Sequence, residues 1–267
     1  MNKEIIQTLK ILPIDSICPF EWNSNISADV EIDDILKIRH PFLVTPLPHG
    51  KYLLLEASTE FYNLKQAGVT QVPVQIVQNS QISIVQKTIG IYSFDEHDLN
   101  EIFELNASQI TSEVVTNDTD DGKDVCLSYE DKQFAITSIP KHIVGCPISV
   151  SKIFSHFEKN GGYRMIQHQG SLSDSLMKVH RFVATVEIPQ LTFSNLADAV
   201  KSNNLFPPNI IEVQADIRIL YIDFPVSTLL SDNLITEKEV FLRELILLRE
   251  QAEKTSSYQG KVYLLNR

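Results

Sequence analysis

The sequence lacks three features that would each indicate a class of protein: a long apolar run, a basic segment and a closely spaced cysteine pair. No apolar stretch in its 267 residues approaches the roughly 18 that a membrane helix needs. Cys18, Cys126 and Cys146 are widely spaced, which favours reduced thiols over a disulfide framework. The N-terminus also lacks the apolar core of a secretory signal. We therefore expect a cytoplasmic protein that does not enter a membrane.

Positive charge is scarce, and negative charge is concentrated in the middle of the chain. The net charge is −11, and residues 91–134 contain 12 acidic but only 2 basic side chains. Because nucleic-acid binding relies on Lys and Arg that neutralise phosphates, the absence of a basic segment argues against it. The acidic middle suits a solvated face or a surface for a partner enzyme.

Alternating strand and helix patterns predict a mixed α/β protein. In the first 90 residues, short apolar runs bounded by Pro, Gly and Asp predict strands. Helices are predicted over 27–39 and 60–67, the second with Ser58 or Thr59 as its N-cap and Gly68 beyond its end. We predict three segments: a compact domain (1–90), an acidic connector of helix, loop and hairpin (91–134), and a C-terminal α/β domain that completes the site (135–267).

One junction between a predicted strand and a predicted helix, Glu-Ala-Ser-Thr-Glu at 56–60, has an unexpected charge. Such a junction is suited to bind an anion, because free backbone N–H groups and the positive end of the helix dipole meet there. This junction carries two carboxylates, Glu56 and Glu60, and no Lys, Arg or His. Negative charge therefore stands where a phosphate would be expected.

Two motifs in the first domain carry a family resemblance: IRHP-x-LVT from Ile38 and HG-x-Y from His49. With the surrounding residues 9–77, this pattern resembles the ParB/sulfiredoxin-type superfamily and, more narrowly, its free L-serine kinase branch, associated with siderophore biosynthesis. Fainter collinear matches continue to the terminal KVYLLNR. The resemblance implies a ParB/sulfiredoxin-like N-terminal domain and phosphoryl transfer from ATP or ADP, with Mg, to the hydroxyl of L-serine or a similar amino acid.

The resemblance also implies which residues form the site. Glu21 matches the family's catalytic carboxylate, which would orient the serine hydroxyl and accept its proton. Glu56 matches the Asp of the family's D-G-x-H-R box and keeps a catalytic carboxylate there, while Ala57 replaces the glycine. The candidate substrate-binding residues near these carboxylates are Trp22, Arg39, His40, Ser58 and Thr59.

Three positions depart from the family's phosphate-binding pattern. Thr59 replaces a histidine, Glu60 replaces an arginine, and Glu212 replaces the arginine of a Thr-Arg pair after a Pro-rich turn. Two unit charges ~4–6 Å apart in a partly buried site interact by about 3–4 kcal/mol at an effective dielectric of 20. Because each Arg-to-Glu exchange turns an attraction into a repulsion, we expect weak nucleotide binding.

Three functions stay compatible with the sequence. The favoured one is a divergent serine-kinase homologue that acts as a pseudo-kinase or a repurposed protein, which binds a small amino-acid-like ligand or a partner enzyme. The alternative is an active serine kinase with altered phosphate contacts. The third, a ParB-like DNA-binding regulator, is disfavoured by the lack of a basic region after residue 90. No His or Cys cluster has metal-site spacing, so no protein-bound metal is expected.

Overall fold

The structure is a computed structural model, and it confirms the mixed α/β fold class. Two compact units make up the chain: unit 1 joins Met1–Ser83 to Val213–Arg267, and unit 2 is Ile84–Glu212. The sequence predicts boundaries after residues 90 and 134, whereas the units divide the chain after Ser83 and Glu212. The structure describes residues 6–22, 37–105, 110–114, 125–129, 132–136, 146–160, 162–167, 174–251, 255–258 and 262–265.

The N-terminal part of unit 1 is built on a five-stranded mixed sheet. Its elements are β1 (Leu9–Pro13), β2 (Ile17–Pro19), β3 (Lys37–Ile38), β4 (Phe42–Pro46), β5 (Tyr52–Leu54), α1 (Ser58–Gln66) and β6 (Gln71–Ile76). The sheet order is β1-β6-β4-β5-β2, with β4 parallel to β6 and antiparallel to β5. The predicted helix α1 is confirmed and is followed by Gly68, whose φ of 81° is a conformation that glycine adopts readily.

Two local predictions for unit 1 are wrong. The N-cap of α1 is Ala57, so Ser58 and Thr59 lie within the helix. The helix predicted over 27–39 does not extend to its predicted end, because Lys37–Ile38 is the strand β3, paired antiparallel with Phe224–Pro225. The rest of that predicted helix lies outside the described residues.

Unit 2 is built on a second, antiparallel sheet. The elements of this part of the chain are β7 (Ile82–Ile91), α2 (Glu96–Leu105), β8 (Ile110–Val114), β9 (Val125–Tyr129), β10 (Lys132–Ile136), α3 (Cys146–Asn160), β11 (Tyr163–Gln167), α4 (Asp174–His180), β12 (Ala184–Glu187), α5 (Phe193–Lys201) and β13 (Ile211–Ala215). The unit boundaries fall within β7 and β13. Neighbouring strands in the order β11-β7-β12-β9-β10-β8 are antiparallel. The predicted acidic helix, α2, and the predicted hairpin, β9-β10, are confirmed, while the loop predicted between β8 and β9 lies outside the described residues.

The C-terminal part of the chain completes unit 1. Its elements are β14 (Arg218–Leu220), β15 (Phe224–Pro225), α6 (Val226–Leu230), α7 (Ile235–Gln251), β16 (Thr255–Tyr258) and β17 (Val262–Leu265). Ile219 and Phe224 belong to the same buried cluster as Leu9 and Phe42 from the other end of the chain. Helix α7 adds Leu242 and Ile246, spaced one turn apart, because its apolar positions recur at helical spacing. Among the described residues, no helix has the length and apolar character required to cross a membrane.

Candidate functional site

The junction between β5 and α1 has a backbone conformation that favours glycine. Ala57 has a φ of 60° and a ψ of 36°, the left-handed region that costs a residue with a Cβ about 1–2 kcal/mol. The Ala57 carbonyl accepts a hydrogen bond from the N–H of Phe61 at 3.0 Å, at the start of α1. No side chain caps this helix, because the hydroxyl of Ser58 is directed to a different partner.

That partner is Glu21, the predicted catalytic carboxylate, which is buried with 7% of its surface exposed. Ser58 Oγ donates to Glu21 Oε2 at 3.0 Å, and the Tyr62 hydroxyl donates to the Glu21 backbone carbonyl at 3.1 Å. Burial, and then the charge of Glu21, raises the pKa of Tyr62, so this phenol stays protonated and remains a donor. A buried carboxylate that accepts a hydrogen bond from an alcohol has the chemistry needed to orient a ligand hydroxyl.

A second group of side chains surrounds Arg218 in β14, a residue that the sequence analysis missed. Nη2 of its guanidinium forms an ion pair with Glu56 and also donates a hydrogen bond to the Pro41 carbonyl at 2.7 Å. Nη1 donates to the Ile219 carbonyl at 2.9 Å and to Gln75 Oε1 at 3.3 Å. Only 11% of the Arg218 side chain is exposed, so both terminal nitrogens are engaged inside the protein.

Glu60 is the second carboxylate near Arg218. It is half-buried, and its pKa is raised by burial and then by the negative charge of Glu56, while Arg218 opposes this rise. Because Glu56 already balances the charge of Arg218, Glu60 adds negative charge for which Arg218 has no further charge to offer. Arg218 therefore balances the charge of Glu56 but not that of Glu60.

Arg39 and His40 lie beside the same group. His40 Nδ1 accepts the backbone N–H of Tyr221 at 3.0 Å, and the Arg39 guanidinium carbon lies 5.1 Å from the centre of the Tyr221 ring. Burial, and then the charges of Arg218 and Arg39, lowers the pKa of His40. The His40 ring is therefore neutral at pH 7 and serves as an acceptor, which holds the segment that contains Tyr221 next to Arg218.

The remaining candidates are more scattered. Trp22 follows Glu21 and is half-buried, whereas Thr59 is exposed in the first turn of α1. Glu212 is half-buried on β13 and belongs to unit 2. The structure thus brings Glu21 together with Ser58, and Glu56 together with Arg218.

The charged groups at this junction are two carboxylates, Glu56 and Glu60, with Arg218 close to both. Arg218 is paired with Glu56 and with neutral oxygens. Within the part of the chain that the structure describes, no group of three or more His, Cys, Asp or Glu side chains is arranged to hold a metal ion.

Comparison with known proteins gives a consistent set of relatives. No family model matches the chain. Over 85 residues it is 35% identical to the ATP-dependent L-serine kinase SbnI of Staphylococcus aureus, a match that spans 30% of this chain and 33% of that relative's length. The solved structure of C-terminally truncated SbnI superposes with a TM-score of 0.74 at 20% identity, covering 94% of this chain and 100% of the other.

Structures of free serine kinase share the same fold. A variant in complex with ADP gives a TM-score of 0.65 at 16% identity, covering 83% of this chain and 94% of the other. The enzyme in complex with AMP gives 0.63 at 15% identity, with coverages of 83% and 93%. The resemblance to the free serine kinase branch, and to its ParB/sulfiredoxin-like fold, is confirmed.

Proposed function

We propose that this protein binds a free amino acid with a hydroxyl group, of the L-serine type, and that it binds nucleotide phosphates weakly. It is then a serine-kinase homologue in which the part of the site that handles the alcohol is retained and the part that holds the phosphates is altered. The carrying observation is the buried Glu21 carboxylate, which accepts the hydroxyl of Ser58 at 3.0 Å. Homology to the L-serine kinase SbnI supports the amino-acid ligand.

The chemistry of Glu21 explains why an alcohol would be recognised. An ionised carboxylate only accepts hydrogen bonds, so a ligand hydroxyl that reaches it must act as the donor. Hydrogen bonds to charged groups are worth about 1.5–3 kcal/mol, which corresponds to roughly tenfold to hundredfold in affinity. In a kinase, the same contact would orient the hydroxyl and accept its proton as the bond to phosphorus forms.

The altered phosphate side is supported by the charges at the β5-α1 junction. Glu56 occupies the only ion pair that Arg218 makes among the described residues, and Glu60 adds a further acid. Phosphate groups would approach these carboxylates without an uncommitted cation from Arg218 to attract them. We therefore infer pseudo-kinase behaviour, in which the ligand binds and phosphoryl transfer is slow or absent.

A pair of ligands that differ only in the hydroxyl tests the proposal. In calorimetric titrations, L-serine should bind the wild-type protein at least about tenfold more tightly than L-alanine. The Glu21→Gln variant should lose this preference, whereas Glu244→Gln, which removes a charge from an exposed position of α7, should keep it. Equal binding of the two amino acids to the wild-type protein would refute the proposal.

An active serine kinase with altered phosphate contacts is the second candidate. It is supported by the free serine kinase structures of the same fold that hold ADP or AMP. Incubation with L-serine and either Mg-ATP or Mg-ADP, followed by mass spectrometry for O-phosphoserine, tests it. Product that forms with the wild-type protein and not with Glu21→Gln would establish the kinase and replace the pseudo-kinase.

A further inference from the structure

Arg218 is a largely buried cation of unit 1 that is paired with one carboxylate. Of the four oxygens bound by its terminal nitrogens, only the one from Glu56 is charged. The other three are the carbonyls of Pro41 and Ile219 and the amide oxygen of Gln75. A guanidinium that is largely buried needs an anion beside it, because an unpaired buried charge is strongly unfavourable.

The three neutral partners are fixed by the fold. Pro41 and Ile219 contribute backbone oxygens, and Ile219 lies in β14. Gln75, in β6, is locked at both ends of its amide, since Nε2 donates to the Ile217 carbonyl at 3.0 Å and Oε1 accepts the Ile219 N–H at 2.9 Å. None of these three oxygens can leave Arg218 without distorting a strand or breaking other hydrogen bonds.

Glu56 is the exception among the partners of Arg218. It lies between the end of β5 and the start of α1, outside both elements, and 34% of its side chain is exposed. Solvent can therefore reach the carboxylate while the guanidinium behind it is 11% exposed. An external anion could compete for Arg218 at this position and at no other of its four contacts.

We propose that Arg218 is the centre of a latent oxyanion-binding subsite and that the Glu56 carboxylate occupies it. A phosphate or carboxylate group binds there by displacing Glu56, because it presents to the guanidinium fork the same kind of charged oxygen. This inference rests on the proposed function and deepens it, since it names Glu56 as the residue that keeps phosphate affinity low.

The Glu56→Gln variant tests the subsite directly. Glutamine keeps the length of the side chain and an oxygen acceptor for Arg218, but it removes the competing charge. Titrated with pyrophosphate at low ionic strength, the variant should bind at least about tenfold more tightly than the wild-type protein. Parallel titrations with acetate show whether a carboxylate benefits equally or whether phosphate oxyanions are preferred.

Three further variants make the outcome decisive. Glu244→Gln removes one negative charge from an exposed site on α7 and should leave pyrophosphate binding unchanged. Adding Arg218→Gln to Glu56→Gln should abolish the gain, and a gain that survives would overturn the proposal. If Glu56→Gln does not fold, Glu56→Asp, which shortens the competing side chain, should give a smaller gain, and no gain in either variant would also overturn it.

Failure of this inference is separable from failure of the proposed function. The pyrophosphate titrations involve neither L-serine nor Glu21, whereas the hydroxyl preference involves neither Glu56 nor Arg218. Unchanged pyrophosphate affinity together with an intact preference for L-serine would remove only the latent subsite. A lost preference together with a pyrophosphate gain would remove only the amino-acid assignment.

Discussion

Single residues at the start of α1 depart from the choices that would be most stable there. Ala57 adopts a left-handed conformation, and Ser58 uses its hydroxyl on Glu21 instead of capping its own helix. Glu60 is half-buried beside a second carboxylate, in surroundings that raise its pKa. Such local conflicts are typical of functional sites, where stability is given up for a particular arrangement of side chains.

The strain at Ala57 predicts a stabilising substitution. Ala57→Gly should increase the free energy of unfolding by about 1 kcal/mol, because glycine adopts positive φ without the steric clash of a Cβ. Scanning calorimetry would measure the gain. Ala67→Gly, at the other end of the same helix with a φ of −69°, is the matched control and should give no gain. A lower transition temperature for Ala57→Gly would contradict this account of the junction.

The raised pKa of Glu60 predicts a pH-dependent effect. Folding favours the protonated carboxyl of Glu60. The contribution of Glu60 to stability is therefore fully present below its ordinary pKa of 4.5 and is lost as the pH rises through the higher pKa of the folded state. Glu60→Gln should therefore raise the transition temperature at pH 7 and have little effect at pH 4. An equal shift at both pH values would show that ionisation of Glu60 is not responsible.

The carboxylates of this candidate site could be chosen from the sequence, and their roles stay predictions. Glu56 and Glu60 belong to a recognisable strand-to-helix junction, and Glu21 is a candidate through the family resemblance. Arg218 could not be found in this way, because it lies 162 positions from Glu56 in the sequence and is surrounded by ordinary strand residues. The partnership of Ser58 with Glu21 was also missed, since local rules assign a serine at that place to capping.

At the scale of elements, β7 and the segment before β12 in unit 2 are in unusually close contact. A Cβ added at Gly90 of β7 would lie 2.3 Å from the ring of Phe182, which is buried. The sequence predicted neither the close contact between Gly90 and Phe182 nor the pairing of β7 with β12. Pairing between distant strands depends on the whole fold, whereas the hairpin β9-β10 depends on adjacent residues and was predicted correctly.

This contact predicts that Gly90→Ala is destabilising. The added methyl group would force the Phe182 ring to move, with a cost of about 1–3 kcal/mol that chemical denaturation would measure. The double variant Gly90→Ala with Phe182→Leu should lose less than the sum of the two single variants, because the smaller side chain leaves room for the methyl. Strict additivity would mean that the two residues do not compete for the same space.

At the scale of the whole molecule, unit 1 is assembled from both ends of the chain. Ile219, Phe224, Leu242 and Ile246 come from the C-terminal part and share a buried cluster with the N-terminal strands. The sequence pattern identified the N-terminal strands but not the origin of their remaining core. The acidic segment 91–134, with its 12 acidic residues, stays a proposed surface for a partner enzyme.

This assembly predicts that the N-terminal segment is not stable by itself. A fragment of residues 1–90 should lack cooperative unfolding, because it loses the apolar side chains contributed by β14, β15 and α7. Circular dichroism and one-dimensional NMR would show this, with the full chain as the reference. A fragment with a sharp thermal transition and dispersed amide resonances would refute the two-ended assembly.

The central proposal is that the protein binds an amino acid through its hydroxyl group and binds nucleotide phosphates weakly. Calorimetric titration of the wild-type protein with L-serine and, separately, with Mg-ADP measures both affinities. The account predicts saturable binding of L-serine without nucleotide, and no saturable binding of Mg-ADP below about 1 mM. Micromolar binding of Mg-ADP, or a complete absence of L-serine binding until nucleotide is added, would contradict it.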